Sequence, residues 1–128
     1  MDIFEELKSI ITDLLDIEDV EITPGTYMVK DLNAESIDLL ELAVAINSRF
    51  NITVVDDDIF LNRFRQFMFD STQKGEDPIH RLTLQYPFLT GERIREIATK
   101  LKEGPQLKVA DLISYVKYQQ EEGANDRA

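Results

Sequence analysis

Ser36 is the residue with the most suggestive chemical surroundings. It lies in the stretch Asp31-Leu32-Asn33-Ala34-Glu35-Ser36-Ile37-Asp38-Leu39-Leu40-Glu41-Leu42. Asn33 suits the N-cap of a helix from Ala34 to about Phe50, which puts Ser36 in the first turn. Free backbone N–H groups and the positive end of the helix dipole favour an anion there. A phosphodiester on the Ser36 hydroxyl would sit in that field. Glu35, Asp38 and Glu41 surround the serine, and the last two, three residues apart, share a face that can receive a basic enzyme. Serine near a helix start is common, and the local physics alone favours an ordinary first-turn serine with solvated acids beside it.

Other chemistry finds less support. His80 is the only histidine and stands in a segment interrupted by Pro78 and Pro87, which reads as a solvated loop. The Asp56-Asp57-Asp58 run lacks the spaced acids and glycine of a calcium loop and reads as acids opening a helix. With no cysteine, disulfides, thiolate zinc sites and a cysteine nucleophile are excluded. Phosphate-loop, dinucleotide and nucleophile-elbow patterns are missing from the sequence. No general acid, general base and nucleophile come together, so neither catalysis nor a metal site is expected.

The charge distribution narrows the partners. The net charge is −11, which disfavours nucleic acid. Residues 1–58 carry 15 acidic and 3 basic side chains, whereas residues 59–128 carry 10 acidic and 11 basic. All the excess negative charge therefore sits in the first half. No run approaches the about 18 consecutive apolar residues of a membrane span. The acidic start Met1-Asp2-Ile3-Phe4-Glu5-Glu6 is unlike a signal peptide, so the expected location is the cytoplasm.

The elements that must position Ser36 read as helices. Ile3, Phe4, Leu7, Ile10, Ile11, Leu14 and Leu15 have the spacing of an amphipathic helix. Asp16 to Gly25 reads as loop, with Thr23-Pro24-Gly25 as a turn. The helix from Ala34 spreads apolar residues (Ile37, Leu40, Val44, Ile46) over more than one face, which predicts packing on several sides, and Asn51 ends it. A third helix follows Asp56–Asp58 with Ile59, Phe60, Phe64, Phe67 and Met68, fading near Gly75. Thr90 caps a fourth helix that Gly104-Pro105 stops, and Val109, Leu112, Ile113 and Val116 mark the last. Ile52-Thr53-Val54-Val55 is β-prone but has no partner strand. The expected fold is all-α, a single domain with five helices.

The stretch Leu32 to Phe50, followed by Asn51-Ile52, resembles the signature of acyl carrier proteins. In that family the prosthetic serine follows an Asp, precedes a Leu, and is followed by an acid and a Glu-Leu pair in the same helix. The counterparts are Glu35, Ser36, Ile37, Asp38 and Glu41-Leu42, in register without gaps. The first helix and the loop before Asp31 match the family's layout, and Val109 to Tyr118 resembles its final helix. Glu35-Ser36-Ile37 departs from the usual Asp-Ser-Leu while keeping charge type and apolar character.

The resemblance implies a four-helix carrier bundle, with 1–55 and 106–119 as the carrier core. The chain departs from the family in an inserted segment, 56–105, supplying about one extra helix, and its polar tail, 120–128, is expected to be flexible; the resemblance does not extend to that insertion. The resemblance implies 4′-phosphopantetheine attached to Ser36 by a phosphopantetheinyl transferase, and Glu35, Asp38 and Glu41 docking partners with basic surfaces. Those partners would be an acyl ligase, ketosynthase or acyltransferase of fatty-acid, polyketide or related lipid biosynthesis, meeting a monomeric carrier that holds acyl groups as thioesters. The alternative is a carrier-like interaction module that never receives the arm. A hydrolase using Ser36 lacks a histidine in that register.

The insertion holds Phe60, Phe64, Phe67 and Phe69, four of the seven phenylalanines. The first three suit a core stripe and Phe69 falls off it. Arg63, Arg65, Arg93 and Arg95 give the insertion a basic side that either offsets the acidic half within the fold or marks a separate docking surface.

Overall fold

The computed structural model describes residues 2–127. Seven α-helices follow one another: α1 Ile3–Leu15, α2 Ser36–Phe50, α3 Asp56–Ile59, α4 Phe64–Gln73, α5 Pro78–Gln85, α6 Gly91–Lys100 and α7 Val109–Arg127. A 3-10 turn, Leu101–Glu103, follows α6. Among the described residues the only extended pairing is an isolated antiparallel bridge between Tyr27 and Lys108. The all-helical expectation is met.

The packing explains why the helices fall into two groups. Leu7, Ile10 and Ile11 of α1, Leu42, Ala43 and Ile46 of α2, Ile59 of α3, and Val109, Leu112 and Val116 of α7 close one core. Phe64 and Phe67 of α4, Leu82 of α5, Tyr86 and Leu89, and Ile94 and Ile97 of α6 close a second. Phe60, Phe64 and Phe67 are buried as expected, and Phe69 is 62% exposed. Leu61 and Phe88 pack against both cores and join them.

One long third helix was expected after Asp56, but the chain breaks between α3 and α4. Ile59 and Phe60 must enter the first core while Phe64 and Phe67 enter the second. A continuous helix would hold Phe60, Phe64 and Phe67 on one face. Leu61 turns the chain by adopting a left-handed conformation, φ 59°, at a cost of about 1–2 kcal/mol for a residue with a Cβ. Burial of its side chain between the two cores offsets that cost.

The segment with Pro78 and Pro87 contains a helix as well. Pro78 sits in the first turn of α5, where a missing N–H is harmless, and the Asp77 side chain accepts from Ile79 N–H at 3.0 Å. His80 is therefore helical and exposed rather than in a loop. The segment 56–105 thus adds α4, α5 and α6 beyond α3, three helices rather than about one.

Thr90 caps α6 as expected, accepting from Arg93 N–H at 3.1 Å. Gly104, at φ 108°, makes the stop that a residue with a Cβ would resist. Asn51, at φ 53°, ends α2 as expected. The backbone of α7 stays helical to Arg127, through residues 120–127 of the stretch expected to be a flexible tail. The Gln119 amide donates to the Thr53 carbonyl at 2.7 Å and to the Tyr115 hydroxyl at 3.1 Å, which pins this turn to the α2–α3 connection.

A buried ion pair fastens the two cores together. Arg93 of α6 donates from Nε and Nη2 to the two carboxylate oxygens of Asp111, each at 2.8 Å. Asp111, in the first turn of α7, is only 2% exposed and also accepts from Lys108 N–H at 2.9 Å. Arg93 Nη2 further donates to the Gln106 carbonyl at 2.6 Å, and Glu96 bridges Arg93 and Lys108. Burial is the largest single influence on the Arg93 guanidinium and pulls it down, but the hydrogen bonds to Asp111 together with the charges of Asp111 and Glu96 outweigh it, and the net shift is upward. Of the insertion's arginines, Arg93 offsets an acid within the fold, while Arg63, Arg65 and Arg95 stay exposed.

Candidate functional site at the start of α2

The segment before α2 is held from both sides. Met28 N–H donates to the Leu107 carbonyl at 2.9 Å and Val109 N–H to the Thr26 carbonyl at 2.9 Å, so the loop is tied to the start of α7. The Asp31 side chain accepts from Tyr27 N–H at 2.9 Å, and Ala34 N–H donates to the Met28 carbonyl at 3.0 Å. Met28, Leu32 and Ala34 are buried anchors. The next residues, Glu35, Ser36 and Ile37, emerge exposed. Apolar anchors followed at once by an exposed helix start fix the Ser36 hydroxyl in solvent on a rigid base.

The helix begins later than the sequence suggested. Asn33 takes a left-handed conformation, φ 55°, and is not the N-cap; Glu35 occupies that position and Ser36 is the first helical residue. Leu39 N–H makes the first intrahelical bond, to the Glu35 carbonyl at 3.0 Å. Ser36 therefore stands closer to the positive helix end than an Asn33 cap would have put it, which strengthens the anion argument.

The three acids separate in role. Asp38 is half-buried, and its carboxylate accepts from Glu35 N–H at 2.8 Å, closing the helix start. Glu35 and Glu41 are exposed. A capping carboxylate is a structural need that the Ser36-x-Asp38 spacing alone could not distinguish from a docking charge.

The structure overturns the expected burial of α2 on several sides. Ile37, Leu40 and Val44 point to solvent, Val44 at 71% exposure, in an i, i+3, i+7 stripe alongside Glu41. Leu42, Ala43, Ile46 and Phe50 are buried in the core, with Leu39 and Ala45 packed against it. Near the far end of the stripe Leu40, Ala43, Val44, Asn47, Val54 and Asp56 line a surface groove of about 300 Å³. The seam between α1 and α2 beside Ser36, lined by Ile11, Leu14, Leu15, Met28, Leu39 and Leu42, is apolar and packed shut. The exposed stripe escaped the sequence reading because apolar spacing is the same for a face turned to a core and a face kept for a partner.

The donor set at this point fits a phosphodiester: an exposed primary hydroxyl on the first residue of a fifteen-residue helix. A family model described as "Phosphopantetheine attachment site" matches residues 5–63, from α1 to the break before α4. A curated relative named acyl carrier protein from Helicobacter pylori is 37% identical over 57 residues, covering 44% of this chain and 73% of the relative. One of the same name from Helicobacter hepaticus is 34% identical over 58 residues, covering 45% of this chain and 76% of the relative. No solved structure matches the chain significantly.

An acidic, all-helical bundle with an exposed helix-start serine inside a phosphopantetheine attachment domain defines a prosthetic-group carrier. The chain belongs to the acyl carrier protein family, whose members are carriers rather than enzymes and bear a covalently attached 4′-phosphopantetheine. The matched stretch stops at residue 63, so α4, α5 and α6 and the second core lie outside it.

Proposed function

We propose that Ser36 is the attachment point of 4′-phosphopantetheine and that the carrier presents acyl intermediates to enzymes of fatty-acid, polyketide or related lipid biosynthesis. The observation that carries this reading is the position of Ser36 as the exposed first residue of α2. The stretch 5–63 holds two other serines, Ser9 and Ser48. Ser9 lies in the middle of α1, and Ser48 lies in the last turn of α2, where the dipole opposes a phosphate. Ser36 alone pairs exposure with the positive end of a helix. When bound, the group supplies a long flexible arm whose thiol carries the acyl chain as a thioester.

The chain's own part is anchoring and presentation. The Met28–Leu107 and Thr26–Val109 bonds and the Asp38 cap keep the α2 start rigid. Glu35, Asp38 and Glu41 add negative charge, and Ile37, Leu40 and Val44 offer apolar contact, which suits a transferase, acyl ligase, ketosynthase or acyltransferase with a basic rim around an apolar patch. The two cores support a division into carrier core, 1–55 and 106–119, and inserted segment, 56–105, with Ile59 and Phe60 lent by the insertion to the first core. No helix among the described residues is long and apolar enough to cross a membrane. We place the carrier in the cytoplasm as a monomer.

Intact mass after incubation with coenzyme A and a broad-specificity phosphopantetheinyl transferase tests the reading. One phosphopantetheine should be gained by the native chain and none by Ser36→Ala. No gain under conditions that load a control carrier would leave a carrier-like interaction module in its place.

A further inference from the structure

The α4–α5 hairpin carries a second charged feature that the carrier reading leaves unused. The Arg63 guanidinium carbon lies 4.9 Å from the centroid of the Phe67 ring, and that of Arg81 lies 5.4 Å from the same centroid. The two guanidinium groups are therefore within about 10 Å of each other, around one largely buried ring. Arg63 is exposed and Arg81 half-buried.

Neither charge is held in an ion pair among the described residues, although Arg63 acts at longer range on Asp58. Among the described residues the ion pairs are Arg49 with Glu6, Arg93 with Asp111 and Glu96, and Lys108 with Glu96. Among the described residues neither Arg63 nor Arg81 has a carboxylate within 4.0 Å. Arg63 donates from Nε to the Gln66 side-chain oxygen, which leaves the rest of its fork open. Arg81 Nε is buried with no acceptor at all. In a chain with a net charge of −11, two adjacent arginines therefore stand without an ion pair among the described residues, with the Asp57 and Asp58 charges felt at longer range on the Arg63 side.

We propose that the Arg63–Phe67–Arg81 cluster is a second docking surface, one that takes the carboxylate side chains of an acidic partner protein. A planar guanidinium fork binds a carboxylate through two parallel hydrogen bonds, and stacking on Phe67 holds both forks in place beforehand. The partner's charge must be local. An extended polyanion, such as duplex nucleic acid or an anionic membrane, would also meet the half of the chain that holds 15 acids against 3 basic residues. The carrier then presents acids at α2 on its first core and two guanidinium groups beside Phe67 on its second. Each repels the partner that the other attracts, so a basic enzyme can work at α2 while an acidic protein holds the insertion.

The test uses the full chain and a short fluorescent glutamate-rich peptide, followed by anisotropy at low salt. Saturable binding is expected, and R63Q/R81Q should weaken it at least about tenfold. K100Q/K102Q, which removes the same charge from exposed lysines, should leave it within about twofold, as should Ser36→Ala. Peptide-induced shifts of the Arg63 and Arg81 Nε resonances in the unaltered chain give a readout that does not depend on how the variants fold. The proposal is overturned by an absence of binding, by equal loss in K100Q/K102Q, or by shifts confined to other residues. Tighter binding through the same arginines to phosphatidylglycerol-containing vesicles than to the peptide would overturn it in favour of a lipid surface.

Discussion

Arg93→Met removes one partner of the ion pair that fastens the insertion to α7 while keeping the aliphatic stem. Asp111 is then left 2% exposed with its charge uncompensated, and the Gln106 carbonyl loses its bond at 2.6 Å. Breaking a buried pair from one side costs about 3–5 kcal/mol, because the remaining carboxylate has lost water without gaining a partner. Domains of this size are stable by about 5–15 kcal/mol, so the variant forfeits a large share. Each kcal/mol moves the midpoint of a chain of 128 residues by about 3–4 °C, which makes the expected fall about 9–20 °C.

Urea and thermal unfolding followed by far-UV circular dichroism measure this directly. The double variant R93M/D111N neutralises the stranded carboxylate and keeps an acceptor for Lys108 N–H, whose bond to Asp111 is 2.9 Å. It should recover most of the loss. A cost below about 1 kcal/mol for Arg93→Met, or no recovery in the double variant, would refute the idea that a desolvated charge governs this junction.

Other consequences can be measured with similar tools. Tyr86 is 1% exposed and its hydroxyl has no partner; Tyr86→Phe should leave stability unchanged or raise it by about 1 kcal/mol, and a comparable loss in urea unfolding would reveal a bond to that oxygen. Burial, then the neighbouring Asp57 charge, raises the Asp58 carboxyl above its ordinary value, with Arg63 pulling the other way. A raised folded-state value gives stability that is present below the ordinary carboxylate range and lost as pH rises through the folded value. Asp58→Asn should therefore stabilise at neutral pH and lose that advantage on acidification, and a pH-independent difference in melting midpoint would contradict this. Val44→Asp, at 71% exposure, should change stability by less than about 0.5 kcal/mol. Glu41→Lys should slow loading by a basic transferase at low salt and converge on the native rate at high salt; a salt-independent defect would point to lost contact rather than lost steering.

Several element boundaries, in the carrier core and in the insertion, were legible in the residues. The α1 periodicity, the Asn51 stop, the Thr90 cap and the Gly104 break each rest on local chemistry within a few positions, and each stands in the structure. The helix start at Ser36 was misplaced because Asn33 is as suitable for a left-handed turn as for a cap, and the Met28–Ala34 bond decides between them. The split of the third helix was hidden because a stripe of Ile59, Phe60, Phe64 and Phe67 looks the same whether one core or two receives it. Arg93 and Asp111 are 18 residues apart, and no local pattern announces such a pair.

By itself, the sequence determined an acidic, cysteine-free helical chain with a helix-start serine set among acids, since composition, periodicity and the chemistry of a helix end are local properties. It also carried the family register around Ser36, inside the stretch that the attachment-site model matches. Tertiary structure alone decided which apolar residues of α2 stay in water, which acid caps rather than docks, and which arginines are spent inside the fold. Those outcomes depend on what packs opposite each side chain, and burial, pairing and exposure are settled only when distant segments such as α6 and α7 meet.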